Sequence, residues 1–351
     1  MQIVKQKLLL LLTCIIVYST GFAQSGGPQA ALYKISFGHI YRISNATNGK
    51  DVEVEDGLFN KGSRVQQWDG YIRNGSADGH GQEWFFIPAG SVTRANGTVT
   101  YLVRIINYGF LDYLSTGRGG GQVTLEKLNP AGSNLGTFWE IVRVANSTEI
   151  KLRSHSTNQF LQAPADNNNG SAMTVAPEAN IASQRFKLTL FSKDGPPHNP
   201  DNKPFVLVAA GNRSKALDVT ACGVDNNTIL QIWNKESNNR CQQFIITDVA
   251  RGEGNIFRLA PVIVPSFNVR LQDPSAQYAG ANIVTGDPSI SNIATQWIIV
   301  KCIRDAGKYI LFNFNGMCME VWNRRTDAGA TIGQNAFYNT DNQKWIIEKV
   351  N

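Results

Sequence analysis

A three-residue motif, glutamine then any residue then an aromatic residue, closes six successive segments of this chain in two sets of three. The aromatic residues are Trp84, Trp139 and Phe186 in the first set and Phe244, Trp297 and Trp345 in the second. The intervals between them are 55 and 47 residues, then 53 and 48. The middle motif of each set is degenerate, with Thr137 or Thr295 in place of the glutamine. A period of this size is typical of units that cannot bury their apolar face alone. The motif therefore predicts two closed, pseudo-threefold domains.

The N-terminal segment has the pattern of a secretory signal peptide. Lys5 and Lys7 precede an apolar run at positions 8–17, and the small residues Gly21 and Ala23 follow. The run is too short to span a membrane. Lipidation at Cys14 is a weaker alternative, because apolar residues continue beyond it. We expect residues 1–24 to be removed and the protein to be secreted, periplasmic or extracellular.

The charge of the chain argues against nucleic acid as a partner. The formal net charge is +6, which becomes +4 (6 − 2) without the two signal-peptide lysines, and only 17% of residues are charged. Lysine and arginine are scattered and form no basic stripe. No segment after the N-terminal one is apolar enough to predict a membrane span. Abundant Asn, Gly, Ser, Thr and Gln favour a neutral partner that forms hydrogen bonds.

Four cysteines remain after signal removal, all in the second half of the chain. An even number in an exported protein permits disulfides, with three possible connectivities. Cys222 with Cys241, and Cys302 with Cys318, are the local choices. The first half has no cysteine, so disulfides are not essential to the fold. No CxxC spacing suggests a metal site, and no cofactor is expected.

A proline-rich linker divides the chain. Four prolines at positions 192–204 cannot continue a strand ladder. The predicted organisation is a signal peptide (1–24), a first domain (35–191), the linker (192–204) and a second domain (205–350). Short runs of β-branched and aromatic residues, such as 101–105 and 205–208, alternate with Gly and Asn clusters. This pattern predicts an all-β protein, and threefold repetition favours a β-trefoil in each half.

The first and fourth segments align without a gap. The matching residues are Glu53, Gln66 and Trp68 in the first and Asp218, Gln231 and Trp233 in the fourth. In both, the acid precedes the glutamine by 13 residues and the tryptophan by 15. Together with the closing motif, this resembles the ricin-type β-trefoil lectins, also known as QxW repeats or family 13 carbohydrate-binding modules. The resemblance covers about 35–191 and 205–350, as two tandem copies.

The family's sugar site combines an acid, a glutamine, an aromatic ring and an asparagine directly before the closing glutamine. The polar groups would bond sugar hydroxyls, and the ring would cover the C–H face of a pyranose. The resemblance implies sugar-binding residues Glu53, Gln66 and Trp68 in repeat one and Asp218, Gln231, Trp233, Asn239 and Gln242 in repeat four.

Both sites depart from the family pattern. Cys241 replaces the asparagine of repeat four, and Asn238 or Asn239 is the expected substitute. In repeat one the acid is the longer glutamate, and Gly81 stands where the asparagine would be.

The other repeats match less well. Repeat six keeps Glu320 and Asn342, but Gly333 and Asn335 occupy the glutamine and aromatic positions, and Trp322 is a possible ring from another direction. In repeat two, Asp112 is the expected acid, followed by Thr124 and Glu126 instead of glutamine and tryptophan. Repeats two, three and five are expected to be structural, and the closing aromatic residues are expected to fill the cores.

Nothing in the sequence favours an enzyme. The four histidines form neither a zinc motif nor a nucleophile elbow. A glycosidase needs two opposed carboxylates, whereas the acids here occur singly, one per repeat.

The sequence therefore predicts a secreted, non-catalytic lectin for neutral sugars, with galactose-type sugars first because the family most often binds them. Two alternatives stay open. A β-trefoil protease inhibitor would use the loops at Asp69–His80 or Ala163–Ala172, and an adhesion or spacer protein would carry inactive sugar sites.

Overall fold

The computed structural model describes residues 35–55, 62–70, 77–117, 121–128, 134–193, 195–196, 201–250, 254–276, 278–289 and 293–350. Within these ranges the structure consists of strands and short 3₁₀ turns, with no α-helix. The predicted signal peptide lies outside the described residues, as do positions 194 and 197–200 of the predicted linker. No helix in the described part is long and apolar enough to cross a membrane.

The described residues form twenty-four strands in two sets of twelve, one set in each half of the chain. The first set is β1 (Ile40–Asn45), β2 (Asp51–Val54), β3 (Ser63–Trp68), β4 (Trp84–Thr93), β5 (Val99–Asn107), β6 (Tyr113–Thr116), β7 (Val123–Glu126), β8 (Trp139–Arg143), β9 (Ile150–Ser154), β10 (Phe160–Gln162), β11 (Thr174–Ala176) and β12 (Phe186–Ser192). The second set is β13 (Phe205–Ala209), β14 (Lys215–Val219), β15 (Thr228–Asn234), β16 (Phe244–Asp248), β17 (Ile256–Pro261), β18 (Asn268–Leu271), β19 (Ile283–Gly286), β20 (Trp297–Lys301), β21 (Lys308–Phe312), β22 (Cys318–Val321), β23 (Ala330–Asn335) and β24 (Trp345–Lys349).

Six strands of each set close a barrel. In the first half the antiparallel pairs are β1–β4, β4–β5, β5–β8, β8–β9, β9–β12 and β12–β1, so the circle has no open edge. The second half closes in the same way through β13, β16, β17, β20, β21 and β24. Closure satisfies the backbone groups that an edge strand would leave unpaired.

The remaining strands form three hairpins that cap each barrel. They are β2–β3, β6–β7 and β10–β11 in the first domain and β14–β15, β18–β19 and β22–β23 in the second. A six-stranded barrel capped by three hairpins is a β-trefoil, so the predicted fold class of two tandem β-trefoils is confirmed.

The closing motif marks one place in every repeat. Its aromatic residue is the first residue of the fourth strand, and all six of these residues are fully buried: Trp84, Trp139, Phe186, Phe244, Trp297 and Trp345. In five repeats a 3₁₀ turn ends at the residue two positions earlier: Ala77–Gln82, Leu135–Thr137, Ala182–Gln184, Arg240–Gln242 and Asp341–Gln343. The prediction that the aromatic residues fill the cores is therefore confirmed.

The two barrels share a buried interface that was not predicted from the sequence. The apolar core of the first domain continues into residues of β20, β21 and β22 in the second. The ring of Phe312 packs against that of Phe85, with centroids 6.1 Å apart, and against that of Phe337 at 5.5 Å. One continuous cluster therefore stabilises both domains.

Hydrogen bonds cross the same interface. Nη1 of Arg104 donates to the carbonyl of Gly316 at 3.1 Å, and its guanidinium lies 4.5 Å from the ring centroid of Phe138. Nδ2 of Asn255 donates to the carbonyl of Gly38 at 3.0 Å. These polar contacts satisfy groups that the apolar interface would otherwise bury unpaired.

Two cysteines also lie in this shared cluster. Cys302 and Cys318 are both buried and are free thiols, so the predicted bond between them is wrong. They contact opposite ends of strand β21: the backbone N–H of Cys302 donates to the carbonyl of Lys308 at its start, and Cys318 pairs with Phe312 at its end. Burial raises the pKa of the Cys302 thiol to about 12, which disfavours the reactive thiolate.

We predict that Phe312→Ala lowers the free energy of unfolding by about 3–5 kcal/mol, since the change opens a cavity at the centre of the interface. Urea denaturation followed by tryptophan fluorescence measures this. Phe191→Ala, an exposed ring on β12, is the matched control and should cost far less. A loss at Phe312 no larger than at Phe191 would mean that the interface does not stabilise the fold.

Candidate functional site

Repeat four brings its predicted acid and glutamine together. Asp218 on β14 lies opposite Gln231 on β15, and Nε2 of Gln231 donates to Oδ1 of Asp218 at 2.9 Å. The closing Gln242 donates to the other oxygen, Oδ2, at 3.3 Å and to the carbonyl of Asn234 at 2.7 Å. Both carboxylate oxygens therefore accept from amides, and the head group has a fixed orientation.

The Asp218 carboxyl is buried beneath the surface of the hairpin. Burial raises its pKa above the ordinary value, whereas the hydrogen bonds from Gln231 and Gln242 lower it and oppose part of that effect. The nearby Glu236 carboxylate adds a smaller upward contribution. An aspartate in this position is a strong acceptor for a hydroxyl group.

Trp233 supplies an exposed ring beside this carboxylate. Its side chain is on the same face of β15 as Gln231, two residues further along the strand, and the residue is 39% exposed. The ring lies against Gly329 of repeat six, where a Cβ atom would be 3.8 Å from its Cζ3. A large exposed ring beside a buried, oriented acid is a suitable platform for a pyranose.

Asn239 has a different role from the predicted one. Its Nδ2 donates to Oε2 of Glu236 at 3.0 Å, and its Oδ1 accepts from the backbone N–H of Cys241 at 3.0 Å. It therefore caps the 3₁₀ turn Arg240–Gln242 instead of bonding Asp218. Of the predicted residues of repeat four, Asp218, Gln231 and Gln242 meet at one point, with Trp233 beside them.

Cys241 joins Cys222 in a disulfide, which confirms the first of the two local choices. The bond ties the turn after β14 to the turn before the closing glutamine. In repeat six, Asn342 stands at the Cys241 position, and its Nδ2 donates to the carbonyl of Val321 at 3.1 Å. The disulfide therefore replaces the hydrogen bond with which an asparagine would hold this part of the site.

Repeat one has the same arrangement with a longer acid. Glu53 on β2 lies opposite Gln66 on β3, and both are buried. Nε2 of Gln82 donates to Oε2 of Glu53 at 3.4 Å and to the carbonyl of Asp69 at 3.0 Å. Trp68 is half-buried, and a Cβ at Gly170 would lie 3.6 Å from its Cζ3. The predicted triad therefore lies on one face of the hairpin.

The loop at 163–172, one of the two proposed inhibitor loops, forms a wall of this site. The buried amide of Gln67 donates to the carbonyls of Asp166 and Asn168 at 2.9 and 3.0 Å. Nδ2 of Asn169 donates to Oδ2 of Asp69 at 2.9 Å. These bonds hold the loop against β3, whereas residues 71–76, half of the Asp69–His80 loop, lie outside the described residues.

Repeat six holds its acid even more tightly. Glu320 accepts from Nδ2 of Asn335 at 2.9 Å, from Nε2 of Gln343 at 2.9 Å and from Nδ2 of Asn342 at 3.3 Å. Burial raises the pKa of the Glu320 carboxyl, and these three bonds oppose the increase. Asn335 occupies the position at which repeats one and four carry tryptophan, and it donates a hydrogen bond to the acid from there.

Trp322 places a ring near this acid from the turn after β22. A Cβ at Gly280 would lie only 2.7 Å from Cη2 of Trp322, so only glycine fits against the ring. Gly280 belongs to repeat five, so the glycine against the Trp322 ring comes from a neighbouring repeat. The same holds for Gly170 against Trp68 and for Gly329 against Trp233. The sequence signal for this ring was the tryptophan directly after the Glu320-Val321 pair.

The indole N–H of the closing tryptophan locates the acid position in the weaker repeats. It donates to the carbonyl just before that position: Trp84 to Val52, Trp139 to Leu114, Trp297 to Val269 and Trp345 to Met319. The acid position is therefore Ser115 in repeat two and Arg270 in repeat five.

The prediction that Asp112 is the acid of repeat two is wrong by three residues. Ser115 lies opposite Thr124, as Glu53 lies opposite Gln66. In repeat three the position is filled by Gln162, which accepts from Gln184 at 2.9 Å. Repeats two, three and five thus lack a carboxylate at this position, as expected for structural repeats.

No protein-family model matches this chain, and no curated protein matches it. Several solved structures are similar. The designed threefold-symmetric protein ThreeFoil is 23% identical, with 42% of this chain and 98% of ThreeFoil covered, at a TM-score of 0.38. The agglutinin from Abrus precatorius is 17% identical, with 88% of this chain and 96% of the agglutinin covered, at a TM-score of 0.31.

The C-half of an earthworm R-type lectin, solved in complex with GalNAc, is also 17% identical; 42% of this chain and 98% of that chain are covered, at a TM-score of 0.32. These TM-scores are low, so the similarity carries no argument about the fold. The fold is established by the two closed barrels described above.

The disulfide should stabilise the fold by about 3 kcal/mol, because it closes a loop between residues 19 apart in sequence. We predict that Cys222→Ser lowers the urea midpoint, and that dithiothreitol lowers the wild type to the same level. The reductant should leave the variant unchanged. Equal midpoints for the oxidised and reduced wild type would contradict this.

Asp112 provides a pH-dependent prediction. Its carboxyl is buried, and burial raises its pKa to about 6, with a smaller downward effect of Lys127 and an upward effect of Glu126. The folded state therefore binds this proton more tightly than the unfolded state. Its stabilising effect is fully present below the unfolded pKa near 3.8 and is lost as the pH rises through about 6.

Asp112→Asn should remove this loss. We expect the variant to be more stable than the wild type at pH 8, on the order of 1–3 kcal/mol, with the advantage shrinking toward pH 4. Urea denaturation at both pH values measures this. The exposed Asp225→Asn is the control, and an advantage for Asp112→Asn that is the same at both pH values would contradict the assignment.

Proposed function

We propose that this protein is a secreted, non-catalytic lectin that binds neutral sugars at repeats one and four, with galactose-type sugars as the first candidates. The observation that carries the proposal is the arrangement in repeat four, where buried Asp218 accepts from Gln231 and Gln242 beside the exposed ring of Trp233. The carboxylate and the Gln231 amide would bond neighbouring hydroxyls, and the ring would cover the C–H face.

The geometry supports binding without hydrolysis. In repeats four and six the described partners of the carboxylate are amide donors, and in repeat one Gln82 donates to Glu53. An acid held in this way is preorganised as an acceptor. A glycosidase would need a second carboxylate across the scissile bond.

Each site is shallow, so we expect weak affinity, on the order of millimolar to tens of micromolar. Two sites on packed domains would bind a repetitive glycan more tightly than either site alone, through effective concentration. A role in holding polysaccharide at or near the cell follows from this valency.

A glycan array with residues 25–351 tests the proposal, beside the Trp68→Ala/Trp233→Ala double variant. We expect the wild type to bind one coherent sugar class and the variant to lose at least tenfold in signal, because both ring platforms are gone. Circular dichroism should show an unchanged β fold, since neither ring is part of the buried core.

A matched variant separates the repeats. Trp322→Ala leaves repeats one and four intact, so any loss of array signal that it causes belongs to repeat six. Binding that survives in the Trp68→Ala/Trp233→Ala variant at wild-type strength would rule out the proposed sites, and an empty array for the folded wild type would rule out the lectin proposal itself.

A further inference from the structure

The predicted site of repeat four continues along its strand into exposed apolar surface. Successive residues of β15 alternate between the core and the outside, so Ile229, Gln231 and Trp233 share the outer face. Ile229 is 37% exposed, and Val224, in the loop that leads into the strand, is 56% exposed. We call Val224 and Ile229 the apolar shelf.

The rise per residue of a β-strand gives the distance between the shelf and the proposed sugar-binding residues. At about 3.3 Å per residue, Ile229 is roughly 7 Å from Gln231 and roughly 13 Å from Trp233 along β15. A ligand that covers Trp233 and Gln231 and extends along this face of β15 would therefore reach Ile229.

In repeat one the position equivalent to Ile229 is charged, whereas Phe59, at the position equivalent to Val224, lies outside the described residues. Asp218–Gln231 and Glu53–Gln66 are matching pairs, so Arg64 stands at the position of Ile229. Nη2 of Arg64 lies 2.5 Å from Oε1 of Glu55, and both side chains are about one-third exposed. An ion pair thus stands where repeat four has Ile229.

We propose that the two sites differ in specificity and that the repeat-four site takes a sugar carrying an apolar group next to the bound ring, with Val224 and Ile229 as the specificity-determining residues. This rests on the proposed lectin function. Apolar area covered by the ligand contributes favourably in proportion to its size, and the Arg64–Glu55 pair offers no such area.

The test compares methyl and 4-nitrophenyl β-glycosides of galactose, N-acetylgalactosamine, glucose and mannose by isothermal titration calorimetry. The parent is residues 25–351 with Trp68→Ala, so that repeat four reports alone. For the sugar that binds, we expect the 4-nitrophenyl glycoside to bind about fivefold more tightly than the methyl glycoside. Adding Val224→Thr/Ile229→Thr should bring this ratio to about one.

The ratio separates recognition from a general structural effect, because a distorted site would lower both affinities together. A second pair of proteins gives the mirror comparison: in the Trp233→Ala chain, repeat one should show a smaller preference than repeat four, because Arg64 replaces Ile229, and adding Glu55→Thr/Arg64→Ile should increase it.

Four outcomes would count against these ideas. A ratio near one in the Trp68→Ala parent, or a ratio that survives Val224→Thr/Ile229→Thr, overturns the shelf and leaves the lectin proposal standing. No binding of any of these glycosides, methyl or 4-nitrophenyl, overturns the lectin proposal and the shelf together. Release of nitrophenolate during the titration would overturn the non-catalytic part of the proposed function.

Discussion

The hydrogen bonds of the closing glutamine are the interaction on which each complete repeat depends. Gln184, Gln242 and Gln343 are fully buried, and each donates to the side chain at the acid position and to a backbone carbonyl. Each also accepts a backbone N–H through its Oε1 atom. Burying a carboxylate without hydrogen-bond donors would destabilise the fold, so the glutamine lowers the free-energy cost of burying the acid. The aromatic residue two positions later then enters the core in a fixed register.

The hydrogen bond from the closing glutamine to the acid explains why the two repeats with a degenerate motif also lack the acid. In repeat two, threonine replaces the glutamine and Ser115 replaces the acid. In repeat five, threonine again replaces the glutamine and Arg270 replaces the acid. Arg270 is buried, which lowers its pKa, and it donates to Oδ1 of Asn227 at 2.7 Å and to the carbonyl of Leu271 at 2.8 Å. In repeat five, Arg270 at the acid position therefore holds the neighbouring turn at Asn227 in place. A degenerate motif thus accompanies the loss of the acid, whereas the glutamine alone does not require a carboxylate, since Gln184 of repeat three donates to Gln162 instead.

Sequence reasoning reached the fold and two acid–glutamine pairs because fixed spacing in a hairpin fixes cross-strand register. It grouped Asp218 with Gln231 in one site, and the two lie opposite each other in the hairpin, whereas the isolated Asp112 gave an acid position three residues too early. The sequence also did not predict the interface between the barrels. Phe312 and Cys318 lie on strands whose outer face is covered by the other domain, and an apolar residue there has the same pattern as one facing its own core. That is also why the pairing of Cys302 with Cys318 looked plausible.

The shared interface changes what two weak sites can do. Domains joined by a linker alone are expected to move relative to each other, but a large apolar interface opposes such motion. Here, phenylalanine rings from both barrels pack together, and Arg104 and Asn255 bond the opposite domain's backbone. Two sites held at a set separation gain effective concentration only for glycans whose spacing matches it. The interface would therefore make the spacing of sugar residues part of the specificity, in addition to the chemistry of each pocket.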